Sequence, residues 1–272
     1  MPELPEVETV RRGLEKYLLG KVILGGEILL PRVFRGDLSE LRERSVVSVG
    51  RRGKLLMLEL SEEVFLLIHL RMTGQLLLHS KIGGRVLPDK HTRVVLELKG
   101  ERLYFQDQRT FGYMEVLKKA ELERHSFLKL LGKEPLSEEF QLEHWKEMLA
   151  RNRKRVLKSF LLDQHFIAGI GNIYADEACF RAEILPWRKI ESLELEEAEA
   201  LYKGVREVLS LGLDLGGASA VNYVDVSGGR GDFMGVAMVY RQQGKPCRKC
   251  GTVIQKRVVA GRGTHWCASC QR

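Results

Sequence analysis

The spacing of hydrophobic positions changes along this chain, and the changes divide it into segments. Over residues 3–19, Val7, Val10, Leu14 and Leu18 recur at helical spacing, with Arg11, Arg12 and Glu15 off that stripe. The pattern predicts an amphipathic helix ended by Gly20. From Val22 to about Leu117 come short apolar or alternating runs at 22–30, 46–49, 55–60, 64–70, 75–78, 94–98, 103–105 and 113–117. Gly, Asp, Ser and Lys-Gly punctuate them, so they predict strands, with Lys99-Gly100 as a hairpin turn. Many short strands without intervening helices predict an antiparallel sandwich or barrel. The opening helix is expected to pack on it and to hold the N-terminus at its edge.

Residues 119–140 are polar and irregular and read as a linker containing Gly132-Lys133-Glu134-Pro135. Helical periodicity returns over 141–151, 154–163, 172–181 and 195–212. Gly169-Ile170-Gly171-Asn172 breaks two of these helices tightly, and Gly216-Gly217 closes the last. Residues 217–235, rich in Gly and Ser, read as a mobile loop. The expected organisation is α+β and multidomain: a β-sandwich domain over 1–118, a linker over 119–140, a helical domain over 141–236 and a small module over 237–272.

Charge adds a direction. The net charge is +8, and residues 237–272 hold eight Lys/Arg with no Asp or Glu, so the whole excess lies in the last module. A second cluster, Arg151, Arg153, Lys154, Arg155 and Lys158, opens the helical region. Localised positive charge suits a polyanion such as nucleic acid, although a charge run is also what a solvated face looks like. No run of 18 apolar residues and no signal peptide occurs, which makes the cytoplasm the expected location.

Four of the five cysteines form Cys247-x2-Cys250-x16-Cys267-x2-Cys270. Two C-x-x-C turns around a hairpin-length insert predict one tetrahedral, structural Zn2+. The insert, Val258 to Thr264, places Arg262 between two glycines at the expected turn, where an exposed guanidinium suits a phosphate. Cys179, on an apolar helical face, reads as a buried small hydrophobe.

The N-terminus supplies the reactive candidate. Met before Pro is normally removed, which exposes Pro2 as a secondary α-amine. Such an amine titrates roughly 2–3 units below a Lys side chain, and the positive end of a helix lowers it further. Unprotonated, it can attack a carbon electrophile and form a cationic iminium, with Glu3 beside it to donate or accept a proton. The plain alternative is a Pro and two glutamates that simply start a helix well.

Other candidates are weaker alone. Gly169-x-Gly171-Asn172 at a helix start, with Asn172 as cap, is a natural phosphate site as well as ordinary capping. Met72, Arg109 and Phe111 each follow a strand and are candidate wedges between bases, with core packing the alternative. Lys54 reads as a phosphate ligand, a proton donor or a solvated surface side chain. His91 reads as a phosphate contact or a turn residue.

Taken together, residues 1–9 (Met-Pro-Glu-Leu-Pro-Glu-Val-Glu-Thr), Arg51-Arg52-Gly53-Lys54, the stretch Leu161-Leu162-Asp163-Gln164 through Gly171-Asn172-Ile173-Tyr174-Ala175-Asp176-Glu177, and Val259 to His265 resemble the formamidopyrimidine-DNA glycosylase family of bacterial base-excision repair. The likeness runs from end to end. It implies an N-terminal β-sandwich, a helix–two-turn–helix domain and a zinc finger, in a monomer acting on damaged double-stranded DNA. It implies that Pro2 attacks C1′ of a flipped oxidised purine nucleotide, with Glu3 as proton donor. Lys54 would serve β-elimination, and Arg262 δ-elimination and phosphate binding. His91, Arg109 and Arg153 would contact DNA, Lys158 and Asn172 would bind phosphate, and Met72, Arg109 and Phe111 would fill the void. Glu6, Ser219 and Tyr223 would read the lesion, the last two from a loop over 217–235.

Three departures stand out. Some relatives carry Glu where this chain has Thr73. Many have Ser or Thr in place of Ala218 and a basic residue near Val221. Pro is usual where Lys133 stands. Two other readings remain: an endonuclease-VIII-like glycosylase for oxidised pyrimidines, whose members tend to begin Pro-Glu-Gly-Pro-Glu where this chain has Leu4, and a zinc-ribbon DNA-binding protein without catalysis.

Overall fold

A computed structural model of the chain describes residues 1–82, 84–220 and 223–272, apart from the side chain of Ile82. The chain forms two compact units, one of residues 1–129 with 215–232 and the other of residues 130–214 with 233–272.

The first unit opens with α1 (Leu4–Leu18). Its stripe of Val7, Val10, Leu14 and Leu18 is buried to 1% exposure or less, as the spacing predicts. Strands β1 (Ile23–Ile28), β2 (Phe34–Arg35), β3 (Val46–Arg52), β4 (Leu55–Leu60), β5 (Val64–His69), β6 (Gly74–Leu77), β7 (Lys81–Ile82), β8 (Arg85–Val86), β9 (Thr92–Leu98), β10 (Glu101–Asp107) and β11 (Tyr113–Lys118) follow. They make a four-stranded sheet in the order β1-β9-β10-β6 and a five-stranded sheet in the order β2-β11-β5-β4-β3. Pairing is antiparallel except where β2 meets β11. Lys99-Gly100 makes the β9–β10 turn, as expected.

One core fills the sandwich. Ile23, Leu96 and Phe105 of one sheet, Leu58, Ile68 and Met114 of the other, and the α1 stripe all belong to it. Tyr223 and Val226 from the later segment pack into the same core. The short β2, β7 and β8 carry too few alternating positions to be read from sequence. Residues 119–130, expected as irregular linker, instead hold α2 (Lys119–Arg124) and α3 (Ser126–Leu130). Both are single turns or little more, so they lack the repeats that make helical periodicity visible.

The second unit contains α4 (Leu142–Arg151), α5 (Leu157–Leu162), α6 (Asn172–Arg181), α7 (Leu195–Asp214), α8 (Phe233–Val236) and the hairpin β12 (Gln255–Val259) with β13 (Arg262–Trp266). Helix α5 starts three residues later than its pattern suggests, because 152–155 is turn and bend and Val156 makes an antiparallel bridge with Lys189. Between α5 and α6 lie the two turns. Gln164 staples them, its Nε2 donating to the Ile170 carbonyl at 2.8 Å and its Oε1 accepting from the Gly169 amide at 2.8 Å. Gly169 sits at φ +96°, a conformation that favours glycine. Among the described residues, no helix is long and apolar enough to cross a membrane.

Candidate active site and DNA interface

In the first unit, Pro2 is buried and directly precedes α1, whose N-cap is Glu3. The positive end of the helix macrodipole therefore falls on the residue whose amine is the candidate nucleophile. Glu3 is 2% exposed and Glu6 1% exposed. The carboxylate of Glu6 accepts two backbone amides, Glu3 N at 2.6 Å and Ala218 N at 2.7 Å. Glu6, expected to read the lesion, thus ties the helix start to the beginning of the 217–235 loop. Gly217 permits this approach: at φ +90°, an added Cβ would lie 2.9 Å from Glu6 Oε1.

Lys54 occupies the two-residue Gly53-Lys54 turn between β3 and β4, with Gly53 at φ +57°. It is 8% exposed, which removes the reading of a solvated surface lysine. The hairpin is fastened to α1 by Glu8, which accepts from Arg51 Nε at 3.0 Å and from Arg11 Nε at 3.0 Å. Burial alone would raise the Glu8 carboxyl, but these two guanidiniums bring it below the ordinary carboxylate range. Glu8, part of the opening motif but given no role from sequence, therefore locks α1 and the Lys54 turn into one frame.

Met72, Arg109 and Phe111 come together at one edge of the sandwich. Residues 70–73 carry the chain from β5 to β6, and residues 108–112 carry it from β10 to β11. Because β6 pairs with β10 and β5 with β11, both crossovers leave and enter at the same corner. Arg109 and Phe111 are exposed, with the guanidinium 4.8 Å from the centre of the Phe111 ring. Phe111 is 55% exposed, unlike a core residue. His91 and Gln75, Gln106, Gln108 and Tyr223 line a cavity of about 380 Å³, inside the range of about 300–1,000 Å³ common for ligand sites.

The loop residues are engaged internally. Ser219 Oγ donates to the Tyr223 carbonyl at 3.0 Å and accepts from Gly231 N at 2.9 Å. Tyr223 is 7% exposed, and burial, with Glu6 nearby, pushes its phenol up. The stretch expected as a mobile loop holds hydrogen-bonded turns and α8 in its described residues. Val221 and Asn222 lie outside the described residues.

In the second unit, the Arg262 hairpin is anchored by a buried polar network. Lys158 Nζ donates to Asp176 Oδ1 at 2.5 Å, Thr264 Oγ1 at 2.7 Å and the Gly263 carbonyl at 3.3 Å. Asp176 Oδ2 accepts the His265 amide at 2.9 Å. Lys158 and Asp176 are both 0% exposed. An ammonium so enclosed and so fully used does not present itself to a phosphate, so Lys158 is a hairpin anchor and not the expected phosphate ligand. For Asn172 the cap assignment alone is corrected: the N-cap is Gly171, and Asn172 Nδ2 donates to the Gly263 carbonyl at 2.9 Å. Arg262 is not at the hairpin tip. The turn is Ala260-Gly261, at φ +50° and +70°, and Arg262 is the exposed first residue of β13. Arg153 is exposed in the turn after α4.

The four cysteine sulfurs lie within 4.8 Å of one another, with Cys250 and Cys267 3.4 Å apart and Cys247 and Cys270 3.9 Å apart. A tetrahedron of zinc–sulfur bonds of about 2.3 Å has edges of about 3.8 Å, so the donor set fits zinc. Cys247 and Cys267 sit in a small core with Phe180, Val239 and Ile254. Cys179 is buried, as expected, and its thiol is pushed up by that burial.

Residues 1–114 match the formamidopyrimidine-DNA glycosylase N-terminal domain, residues 131–223 the formamidopyrimidine-DNA glycosylase H2TH domain, and residues 244–272 a zinc finger found in FPG and IleRS. The chain belongs to the formamidopyrimidine-DNA glycosylase family. It is 44% identical to the formamidopyrimidine-DNA glycosylase of Pelotomaculum thermopropionicum over 278 aligned positions, covering 100% of this chain and 99% of that one. The crystal structure of the MutM (Fpg) protein from Thermus thermophilus superposes with a TM-score of 0.90 at 42% identity, covering 99% of this chain and 98% of the other. Lactococcus lactis Fpg in complex with abasic-site DNA superposes at 0.91 with 34% identity, covering 99% of each chain. A mutant of the Lactococcus enzyme has also been solved with Fapy-dG DNA. As the family's zinc-finger match and the sulfur geometry agree, the cluster of four cysteines is the site of one structural zinc.

Proposed function

We propose that this chain is a base-excision repair enzyme that removes oxidised purines from duplex DNA and nicks the resulting abasic site. The observation that carries the reading is Pro2 at the foot of α1, buried with Glu3 and joined to a hairpin carrying a buried Lys54. Relatives solved with abasic-site and Fapy-dG DNA support the substrate class. Once Met1 is removed, the Pro2 nitrogen lone pair attacks C1′ of an extruded nucleotide, the glycosidic bond breaks and the base departs with a proton. Glu3 donates the proton that opens the sugar. The resulting iminium acidifies C2′–H; its loss expels the 3′ phosphate, and a second elimination expels the 5′ phosphate.

Lys54 assists the first elimination, and Arg262 binds phosphate and assists the second. Met72, Arg109 and Phe111 occupy the void left by the flipped nucleotide. His91 and Arg153 contact the DNA backbone, and Asn172 shares its amide between Gly263 and the phosphate side of the α6 N-terminus. The enzyme acts as a monomer in the cytoplasm. Borohydride treatment with an abasic-site duplex tests the central step: a covalent adduct mapped to Pro2 is expected. Its absence, or normal nicking by Pro2→Gly, would refute the mechanism.

A further inference from the structure

The two crossovers that carry the wedge side chains are strained and share one acceptor. Arg71, just before Met72, has φ +50°, and Thr110, between Arg109 and Phe111, has φ +58°. Non-glycine residues hold this left-handed region only where surrounding contacts over-determine it. Asp107, the last residue of β10, is 0% exposed. Its Oδ2 accepts the Gly112 amide at 2.7 Å, and its Oδ1 accepts the Arg109 amide at 3.2 Å and the Thr73 hydroxyl at 2.5 Å. The Thr73 oxygen in turn accepts the Arg109 amide at 2.9 Å.

One carboxylate therefore holds both ends of the Arg109–Gly112 turn, and one hydroxyl stitches that turn to the Met72 turn. The Met72 turn is closed by the Gly74 amide, which donates to the Leu70 carbonyl at 2.9 Å, and close packing surrounds the Arg109–Gly112 turn. A Cβ on Gly112 would lie 2.8 Å from Phe105 Cζ and 2.9 Å from the His69 carbonyl. The Arg71 amide donates to His69 Nδ1 at 3.1 Å.

We propose that Asp107 and Thr73 are positioning residues that set Met72, Arg109 and Phe111 in their wedge arrangement before DNA arrives. This rests on the wedge role assigned above. A preset wedge loses no conformational freedom on insertion, so more of its contact with the base stack is available to extrude the nucleotide. Thr73 stands where some relatives carry Glu. A carboxylate there has no proton to donate to Asp107, so the stitch belongs to this chain's own residue choice.

Amide exchange and kinetics on Thr73→Val, Thr73→Ser and Asp107→Asn test the latch. In Thr73→Val the Arg109 amide should exchange about five- to tenfold faster, equivalent to one lost hydrogen bond, with Gly112 little changed. Asp107→Asn keeps only one acceptor oxygen, so it should release whichever of the two amides comes to face its NH2 group, and Thr73→Ser should restore protection. Single-turnover excision of 8-oxoguanine from an intact duplex should slow about tenfold in Thr73→Val, while borohydride trapping on a preformed abasic site stays within about twofold of the unaltered protein.

An unchanged Arg109 exchange rate overturns the latch, as does equal slowing of excision and trapping, which marks a general defect. Failure of Thr73→Ser to rescue also overturns it. If the unaltered protein forms no Pro2 adduct at all, the enzyme reading fails, and the exchange data still decide the latch.

Discussion

Replacing Lys158 with Met separates two roles that the sequence leaves undivided. The substitution keeps the aliphatic stem and removes an ammonium held by Asp176, Thr264 and the Gly263 carbonyl, with both charged partners 0% exposed. Asp176 is left as a buried charge with only His265 for company. Removing one partner of such a pair costs about 3–5 kcal/mol. Trp145, Trp187 and Trp266, the chain's three tryptophans, all lie in the second unit, so their fluorescence in a urea titration reads that unit. Asp176→Leu and the double variant complete the cycle. Because the double variant buries no unpaired charge, its loss should fall short of the sum of the singles by about 2–3 kcal/mol. The DNA arm gives the opposite signature for a phosphate ligand: removing one phosphate contact lowers the slope of log K against log salt by about 1. The expected result is a large stability loss with the slope unchanged. A loss below about 1 kcal/mol together with a slope reduced by about one would refute the anchor reasoning.

Three further outcomes follow from the geometry. His69 is buried beside Arg71 and Lys54, and burial first, then those charges, lowers its pKa to about 3. It stays neutral when folded but takes a proton when unfolded below about pH 6.5, so stability is full above that value and falls toward pH 3. From pH 7.5 to 5 the loss should be about 2 kcal/mol by urea unfolding, and His69→Gln should remove that contribution; an unaltered pH slope would contradict the burial argument. Chelation of the zinc, or Cys250→Ser, should unfold residues 237–272 and lower DNA affinity, because so short a module has little core without its staple; unchanged circular dichroism and affinity would contradict a structural metal. Arg262→Ala should leave the hairpin folded, since its side chain is exposed while Thr264 and His265 carry the anchors, yet weaken binding by about 1–3 kcal/mol through the lost charged contact.

What could be read from the residues divides by distance along the chain. The opening helix and the paired C-x-x-C turns are local patterns, and each is found where its spacing places it. Met72, Arg109 and Phe111 could be singled out as candidates because a Met, Arg or Phe just past a strand end is itself a local pattern. Asp107 left no such mark: its decisive partner, Thr73, lies 34 positions away and meets it only because two strands cross between the sheets at one corner. Lys158 misled for the same reason. Within its own segment it ends a basic cluster and looks like one more phosphate ligand; what buries it is Thr264, 106 positions later. A titratable side chain in a charge run thus takes its role from whatever non-local neighbour covers it. The two errors point the same way, for the wedge turns and the Arg262 hairpin are each held by a fully buried carboxylate behind them. Neither Asp107 nor Asp176 is itself a proposed DNA contact; they fix the backbone from which those contacts are offered, Asp107 in the first compact unit and Asp176 in the second.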